Sequence, residues 1–232
     1  KQRIQSSAQH GEQNIVLENM TRSLEKHRFS TQFVGYDHLH MGGKIIELFD
    51  ARGKGVHSLD HGQEGYALFD ITPFYAESGG QVGDSGFIQG KSGKALVLNT
   101  FKLAKQIVHK IRVDSGNIEN QKPYTLEVDP KLRQMTAVNH TATHMLHAAL
   151  RKSFGERIKQ AGSLVEPTKL RFDFTYPRAL TTDEVHEIEN LVNAQIEKNL
   201  TVEVQEMKYD EAIKTGALAF FDEKYGDKVR VV

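Results

Sequence analysis

The sequence predicts an α+β protein in which a small β-barrel-like N-terminal subdomain carries a Gly-rich motif and precedes a core of helices on a mainly antiparallel sheet. Three observations lead there. Short β-rich runs punctuated by Gly, Asp and Asn fill residues 31–130 with no helical stretch between them. Helical periodicity takes over after Asp129-Pro130 and runs to Phe154. Beyond it, strand-like and helical stretches alternate. A chain of 232 residues with 38% hydrophobic and 26% charged side chains is long enough for a self-sufficient core and too apolar for disorder.

The elements follow in order. Up to about Arg28 a polar stretch places Ile15, Val16, Leu17, Met20 and Leu24 at roughly helical spacing without strong caps, which reads as a weak helix at the tail of a preceding domain, residues 1–30. Strands are expected at Lys44–Phe49, Gly65–Phe69, Lys94–Leu98, Gln106–Ile111 and Tyr124–Val128, forming the 31–130 subdomain. Residues 131–232 make the third segment. It opens with a helix from Lys131 to Phe154, followed by strands near 160–166 and 169–175 that Glu166-Pro167-Thr168 separates. Thr182 is the expected cap of a helix reaching about Asn199, with Asp183 and Glu184 suited to its N-terminal dipole. A strand at 201–207 and a short helix from Asp210 complete the set.

Composition excludes several classes of function. The absence of cysteine removes disulfide scaffolds, thiol catalysis and Cys-rich zinc sites, and fits a reducing cytoplasm. No apolar run approaches a membrane span, and the start at Lys1 shows neither an initiator Met nor a signal peptide, so no membrane partner is expected and the chain reads as part of something longer. Thirty basic and 30 acidic side chains cancel, so any nucleic-acid contact must be local. The charge is nonetheless uneven. Residues 151–171 carry six basic side chains, among them Arg151, Lys152 and Lys159, against two carboxylates, whereas residues 181–211 carry nine carboxylates against two lysines. These are either solvated faces of opposite sign or, for the basic one, a phosphate-facing patch.

Two stretches carry chemistry. In Asn139-His140-Thr141-Ala142-Thr143-His144-Met145-Leu146-His147, an advance of about 100° per residue groups His140, Thr143, His144, His147 and Arg151 in one sector. Val138, Ala142, Met145 and Ala149 fall opposite and are the expected buried face. A His pair at i and i+4 brings two ring nitrogens within reach of one zinc ion; the same pattern also describes a hydrated His-rich face. The second stretch runs from Thr72 to Gly86 and includes Phe74-Tyr75-Ala76-Glu77-Ser78-Gly79-Gly80-Gln81-Val82-Gly83-Asp84. Its Gly-Gly pair permits positive φ and close approach of a ligand, and Tyr75, Glu77 and Gln81 offer polar contacts; a tight hairpin loop is the plainer reading. It lacks the Lys-Ser/Thr of a phosphate loop.

Taken together with Gln160-Ala161-Gly162-Ser163-Leu164-Val165 and Leu170-Arg171-Phe172-Asp173-Phe174, these stretches occur in an order and spacing that resembles the editing region of bacterial alanyl-tRNA synthetases, over roughly residues 30–232. That region is related to free-standing alanyl editing proteins and, more distantly, to the editing domain of threonyl-tRNA synthetases. The resemblance implies a barrel with the glycine motif, an α+β editing core, and, before residue 30, the end of tRNA-recognition helices. It implies hydrolysis of the ester bond in tRNA(Ala) mischarged with serine or glycine. It assigns His140 and His144 to zinc and Thr143 and Gln160 to the editing pocket; beside it, the residues themselves offer Glu77, Gly79, Gly80, Gln81, Arg151, Lys152 and Lys159 as candidate substrate or tRNA contacts. The family completes its zinc site from a downstream Cys-x-x-x-His, which does not occur before Val232. The 232 residues alone are therefore expected to bind zinc and to deacylate less well than a chain that continues through that motif.

Elementary physics supplies the need for such an activity. A site built for alanine cannot sterically refuse glycine and discriminates against one added hydroxyl by only a few kcal/mol. A second site must then demand something that alanine lacks. For serine that is a hydrogen bond to the hydroxyl, with Thr143 and Gln160 as the candidate partners. Two rival readings are a tRNA-binding module without chemistry, using the basic 151–171 stretch, and an unrelated metallohydrolase drawing further ligands from His38, His40, His57, His61, His109 or His186.

Overall fold

The computed structural model describes residues 14–25, 30–216 and 227–231. The chain divides into two compact units, Lys1–Val138 with Val165–Lys169, and Asn139–Leu164 with Leu170–Val232. In the first, α1 (residues 14–24) precedes β1 (Gln32–Phe33), β2 (His40–Asp50), β3 (Ser58–Asp60), β4 (Glu64–Phe69), β5 (Ile71–Thr72), β6 (Gly86–Gln89), β7 (Gly93–Leu103), β8 (Gln106–Glu119) and β9 (Pro123–Val128). Helix α2 (Pro130–Phe154) follows, then β10 (Gln160–Val165), β11 (Leu170–Phe174), α3 (Thr182–Ile196), β12 (Gln205–Lys208), α4 (Tyr209–Lys214) and β13 (Lys228–Val231). The α+β class and the barrel expected from the sequence are both present.

Six strands close on themselves in the order β8, β4, β2, β9, β6, β7 and back to β8, each adjacent pair antiparallel. Closure leaves these strands no unpaired edge. β3 adds to β8 outside the ring, and β1 pairs in parallel with β5. Register shifts between Ile45 and Glu47 in β2, and at two places where β7 meets β8, supply the extra twist that a small barrel requires. Period-2 patterning fills the interior: Tyr124, Leu126 and Val128 of β9 are buried while Pro123, Thr125 and Glu127 are exposed. They join Ile45, Phe69, Phe74, Ile88 and Ile111 in one core. Met20 and Leu24 of α1 are fully buried in a second cluster with Phe49, Leu68 and Val108. The remainder of the weak N-terminal helix expected up to Arg28 lies outside the described residues.

His109 is a structural residue of the barrel. It is fully buried on β8, its Nδ1 lies 3.1 Å from the Ala67 carbonyl and its Nε2 lies 2.8 Å from Thr72 Oγ1. Nδ1–H therefore donates to the carbonyl and Nε2 accepts the hydroxyl proton, the neutral tautomer. The Phe69 and Phe74 rings meet the imidazole edge to face at 5.1 and 5.4 Å. Burial pushes the ring's pKa down to about 4, only partly offset by the bond to Ala67. In the unfolded chain the ring titrates near its ordinary value, so between about pH 6.5 and 4 the unfolded state binds the extra proton. The contribution of His109 to stability is complete above pH 6.5 and lost as pH falls through that window, about 3 kcal/mol in all. We expect His109→Gln to flatten the pH dependence of urea-unfolding stability between pH 6.5 and 4; an unchanged slope would show that the ring is not buried neutral.

In the second unit, Ala149, Leu150, Ile158 and Ile188 are buried together, with Leu146, Phe154, Phe172 and Phe174 packed against them. β10 and β11 form a hairpin, and β12 pairs antiparallel with β13. Three details differ from expectation. Thr181, rather than Thr182, caps α3: its hydroxyl accepts the Glu184 N–H while the Glu184 carboxylate accepts the Thr181 N–H. Only Thr181 has a Glu three residues on, as a capping box requires. The helix stops at Ile196 instead of Asn199, which sits at φ +45°. β12 begins at Gln205 rather than residue 201, because its register with β13 spans only Gln205–Lys208.

Candidate functional site

The glycine motif forms a hairpin on the barrel unit. Ser78 and Gln81 exchange backbone hydrogen bonds of 3.2 and 3.0 Å, with Gly79 at φ +61° and Gly80 at +83° between them. Positive φ at both central positions is what a type I′ turn demands and what a Gly-Gly pair supplies without strain. The turn hands its outgoing strand to Val165: the Val165 N–H donates to the Gly80 carbonyl at 2.8 Å and the Val82 N–H to the Val165 carbonyl at 3.1 Å. Gly83 lies so close to the next strand that a Cβ would meet the Thr100 carbonyl oxygen at 1.9 Å. Gln81 is buried and Glu77 exposed.

The motif's last residue, Asp84, is its anchor. The buried carboxylate accepts the Tyr75 N–H at 2.6 Å and the Arg133 Nε–H at 2.9 Å, and a second Arg133 nitrogen, Nη2, makes a direct contact with it. The same guanidinium donates to the carbonyls of Gly35 at 2.6 Å and Pro73 at 3.0 Å. Sequence reasoning missed this node, since nothing local to Arg133 points 49 residues back to Asp84.

Asp129 starts α2 by accepting the backbone N–H of Lys131 and Leu132 at 2.9 and 3.0 Å, with Pro130 at the first helical position. The expected division of its faces is corrected by the structure. Val138 is 56% exposed, and Ala142 and Met145 are only half-buried, whereas Thr136, Thr143, His147 and Leu150 form the buried stripe together with Ala149. The reason is the partner surface. The His147 and Phe172 rings lie 5.0 Å apart with their planes tilted by 40°, so the aromatic strand β11 takes up part of the polar sector. Burial lowers the His147 pKa, a hydrogen bond with the Ile158 backbone opposes this, and the Arg151 and His144 charges add to the lowering.

His140 is half-buried and His144 exposed, with their rings nearly parallel at 14° and centroids 5.0 Å apart. Partial desolvation lowers the pKa of both, and for His140 the neighbouring His144 charge lowers it further. Neutral imidazole is the form that ligates a metal. Two imidazoles supply at most two of the four ligands of a tetrahedral zinc shell; among the described residues no group of three or more His, Cys, Asp or Glu is placed to hold an ion. Between them in sequence, Thr143 is 6% exposed and its hydroxyl donates to the Asn139 carbonyl at 2.8 Å. That bond uses the proton and leaves the oxygen able to accept another donor. Gln160 opens β10 and is half-buried. Arg151 is half-buried and lies 3.8 Å from the Glu156 carboxylate, while Lys152 and Lys159 are exposed. Arg151 and Lys152 sit in the last turn of α2, where cations complement the helix dipole.

Comparison with known proteins fits this arrangement of motifs. Residues 1–132, more than half of the chain, match the family profile of class II tRNA synthetases (A). The chain belongs to that family. Within the class II tRNA synthetases it is similar to the alanine–tRNA ligase of Nitratidesulfovibrio vulgaris, 46% identical over 203 residues that make up 87% of this chain and 23% of that protein. It is likewise similar to those of Thermotoga maritima, 44% identical over 88% of this chain and 24% of the relative, and Pseudomonas fluorescens, 42% identical over 90% and 24%. This class II synthetase chain thus spans about a quarter of the length of the curated relatives it matches. The alanyl-tRNA synthetase resemblance carried by the motifs holds across most of the sequence. No helix among the described residues is long and apolar enough to cross a membrane.

Proposed function

We propose that this region of an alanyl-tRNA synthetase proofreads translation in the cytoplasm by hydrolysing the ester bond of tRNA(Ala) mischarged with serine or glycine. The observation that carries the reading is the juxtaposition on one helix of two near-parallel imidazoles, His140 and His144, whose pKa values partial burial lowers, with the buried Thr143 between them in sequence. The imidazoles would hold zinc, which when bound polarises a carbonyl or a water. Thr143 Oγ1, its own proton committed to Asn139, accepts the hydroxyl proton of a seryl group. The Gln160 amide supplies a second polar contact. An alanyl group offers neither partner, so these polar groups go unpaired in its complex and its hydrolysis is disfavoured; a glycyl group lacks the hydroxyl too, so its hydrolysis rests on contacts other than these. Arg151, Lys152 and Lys159 form the phosphate-facing contribution of this unit. Glu77, Gly79, Gly80 and Gln81 are assigned to substrate contact from the barrel unit.

The expected outcome of Thr143→Val or Gln160→Ala is a loss of about ten- to a hundredfold in seryl-tRNA deacylation, the worth of one hydrogen bond to a buried polar group, with tRNA affinity unchanged. Single-turnover deacylation alongside a tRNA-binding titration checks this. Equal losses in both would assign the residues to folding or docking, and would favour a tRNA-binding module without chemistry.

A further inference from the structure

Apart from the motifs above, the barrel carries a groove of about 860 Å³ on its outer face, across β2, β9 and β6 and bordered by Lys94 of β7. The pairings Gly42 with Thr125 and Thr125 with Gln89 set these residues side by side as its floor, and Lys44, Lys91 and Lys94 border it. Lys94 is held over the Phe87 ring at 4.2 Å. Two carboxylates share the lining, Asp70 and Glu127. That of Asp70 already accepts the backbone N–H groups of Lys44 and Ile71 at 2.8 Å each. Gly42 is informative because neither packing nor conformation requires a glycine there. Nothing lies within 4 Å of where its Cβ would be, and it is not among the residues with positive φ. What the missing side chain does is keep the floor open.

A site for a small metabolite encloses its ligand and converges a few buried polar groups on it. This groove is wide and solvent-open, with three ammonium groups against two carboxylates, one of them already bound to backbone N–H groups, and with neutral hydrogen-bonding side chains on its floor, the character of a surface that tracks a phosphodiester backbone. We infer that the groove is an RNA-backbone site, through which the barrel holds part of the tRNA. The inference rests on the proposed reading of the chain as a tRNA-handling hydrolase, and it assigns the barrel a contact separate from the residues proposed for chemistry.

The test uses the full 232-residue chain with a tRNA(Ala) transcript, its affinity followed by fluorescence anisotropy over a range of salt. The triple variant Lys44→Ala, Lys91→Ala, Lys94→Ala is expected to bind about tenfold more weakly, with the log–log salt slope reduced by about 2–3 as lysine–phosphate contacts are lost. Gly42→Glu, which has room for its side chain, is expected to weaken binding comparably, and Lys54→Ala, in the loop after β2 and outside the groove's lining, to leave it unchanged. Unchanged affinity and slope in the triple and Gly42→Glu variants, or a loss matched by Lys54→Ala, would overturn the assignment. Seryl-tRNA deacylation measured in parallel separates the two ideas. Groove-dependent binding without deacylation overturns the editing reading alone, and deacylation without groove dependence overturns this one alone.

Discussion

Replacing Arg133 by methionine is expected to cost about 3–5 kcal/mol of folding stability, the range seen when one member of a buried ion pair is removed. Asp84 would be left buried without its cation, the Tyr75 N–H its remaining neighbour from this node, and the carbonyls of Gly35 and Pro73 would lose their donor. For a domain of this size the melting temperature should fall by roughly 10 °C. The double variant Arg133→Met with Asp84→Asn should recover part of the loss, because the uncompensated charge is gone. Urea unfolding of the three variants against the parent checks this. A cost below about 1 kcal/mol for Arg133→Met would mean that water, not the guanidinium, satisfies Asp84.

The second large effect falls on the chemistry. His140→Ala or His144→Ala should lower deacylation of seryl-tRNA about a hundredfold or more, since even loss of a residue that merely supports a metal ligand costs up to that much. Added zinc is expected to stimulate the parent chain, and each change should abolish that stimulation. The rings meet one another in parallel and are not among the fully buried residues, so neither change should open a core cavity, and unfolding midpoints should stay within about 0.5 kcal/mol of the parent. A variant that loses activity together with stability would place these residues in the scaffold instead.

What the sequence could and could not reveal follows from the range of the interactions involved. Strand cores with period-2 burial, such as Tyr124–Val128, and the Asp129-Pro130 helix start are local signals and were legible. β7 proved longer than its apolar run because Ala104 and Lys105 make the tight turn that ends it at φ +47° and +66° without glycine, so no turn signal marked that end; β8 starts at Gln106 as expected but runs on to Glu119 through a mostly polar stretch. β6 was hidden inside a Gly-rich stretch, and β1, β3 and β5 are too short to show a period. The His-x-x-x-His spacing placed His140 and His144 side by side correctly. The face of α2 that is buried depended on Phe172, whose ring comes from a strand that no periodicity in the helix could anticipate. Likewise His109 stood among the outlying candidate ligands, and only the closure of β4 against β8, which brings Ala67 opposite it, shows it to be a core residue.

The central proposal is that Thr143, Gln160 and the imidazole pair recognise a seryl ester that an alanyl ester cannot imitate. Its most direct test is the hydrolysis of seryl- and alanyl-tRNA(Ala), followed side by side with the chain in excess over tRNA and zinc supplied in the buffer. The prediction is accelerated hydrolysis of the seryl ester with the alanyl ester left near its spontaneous rate, a ratio of about a hundredfold or more for a site that hydrogen-bonds the hydroxyl. Both esters decaying at the spontaneous rate, or both hydrolysed equally fast, would contradict it.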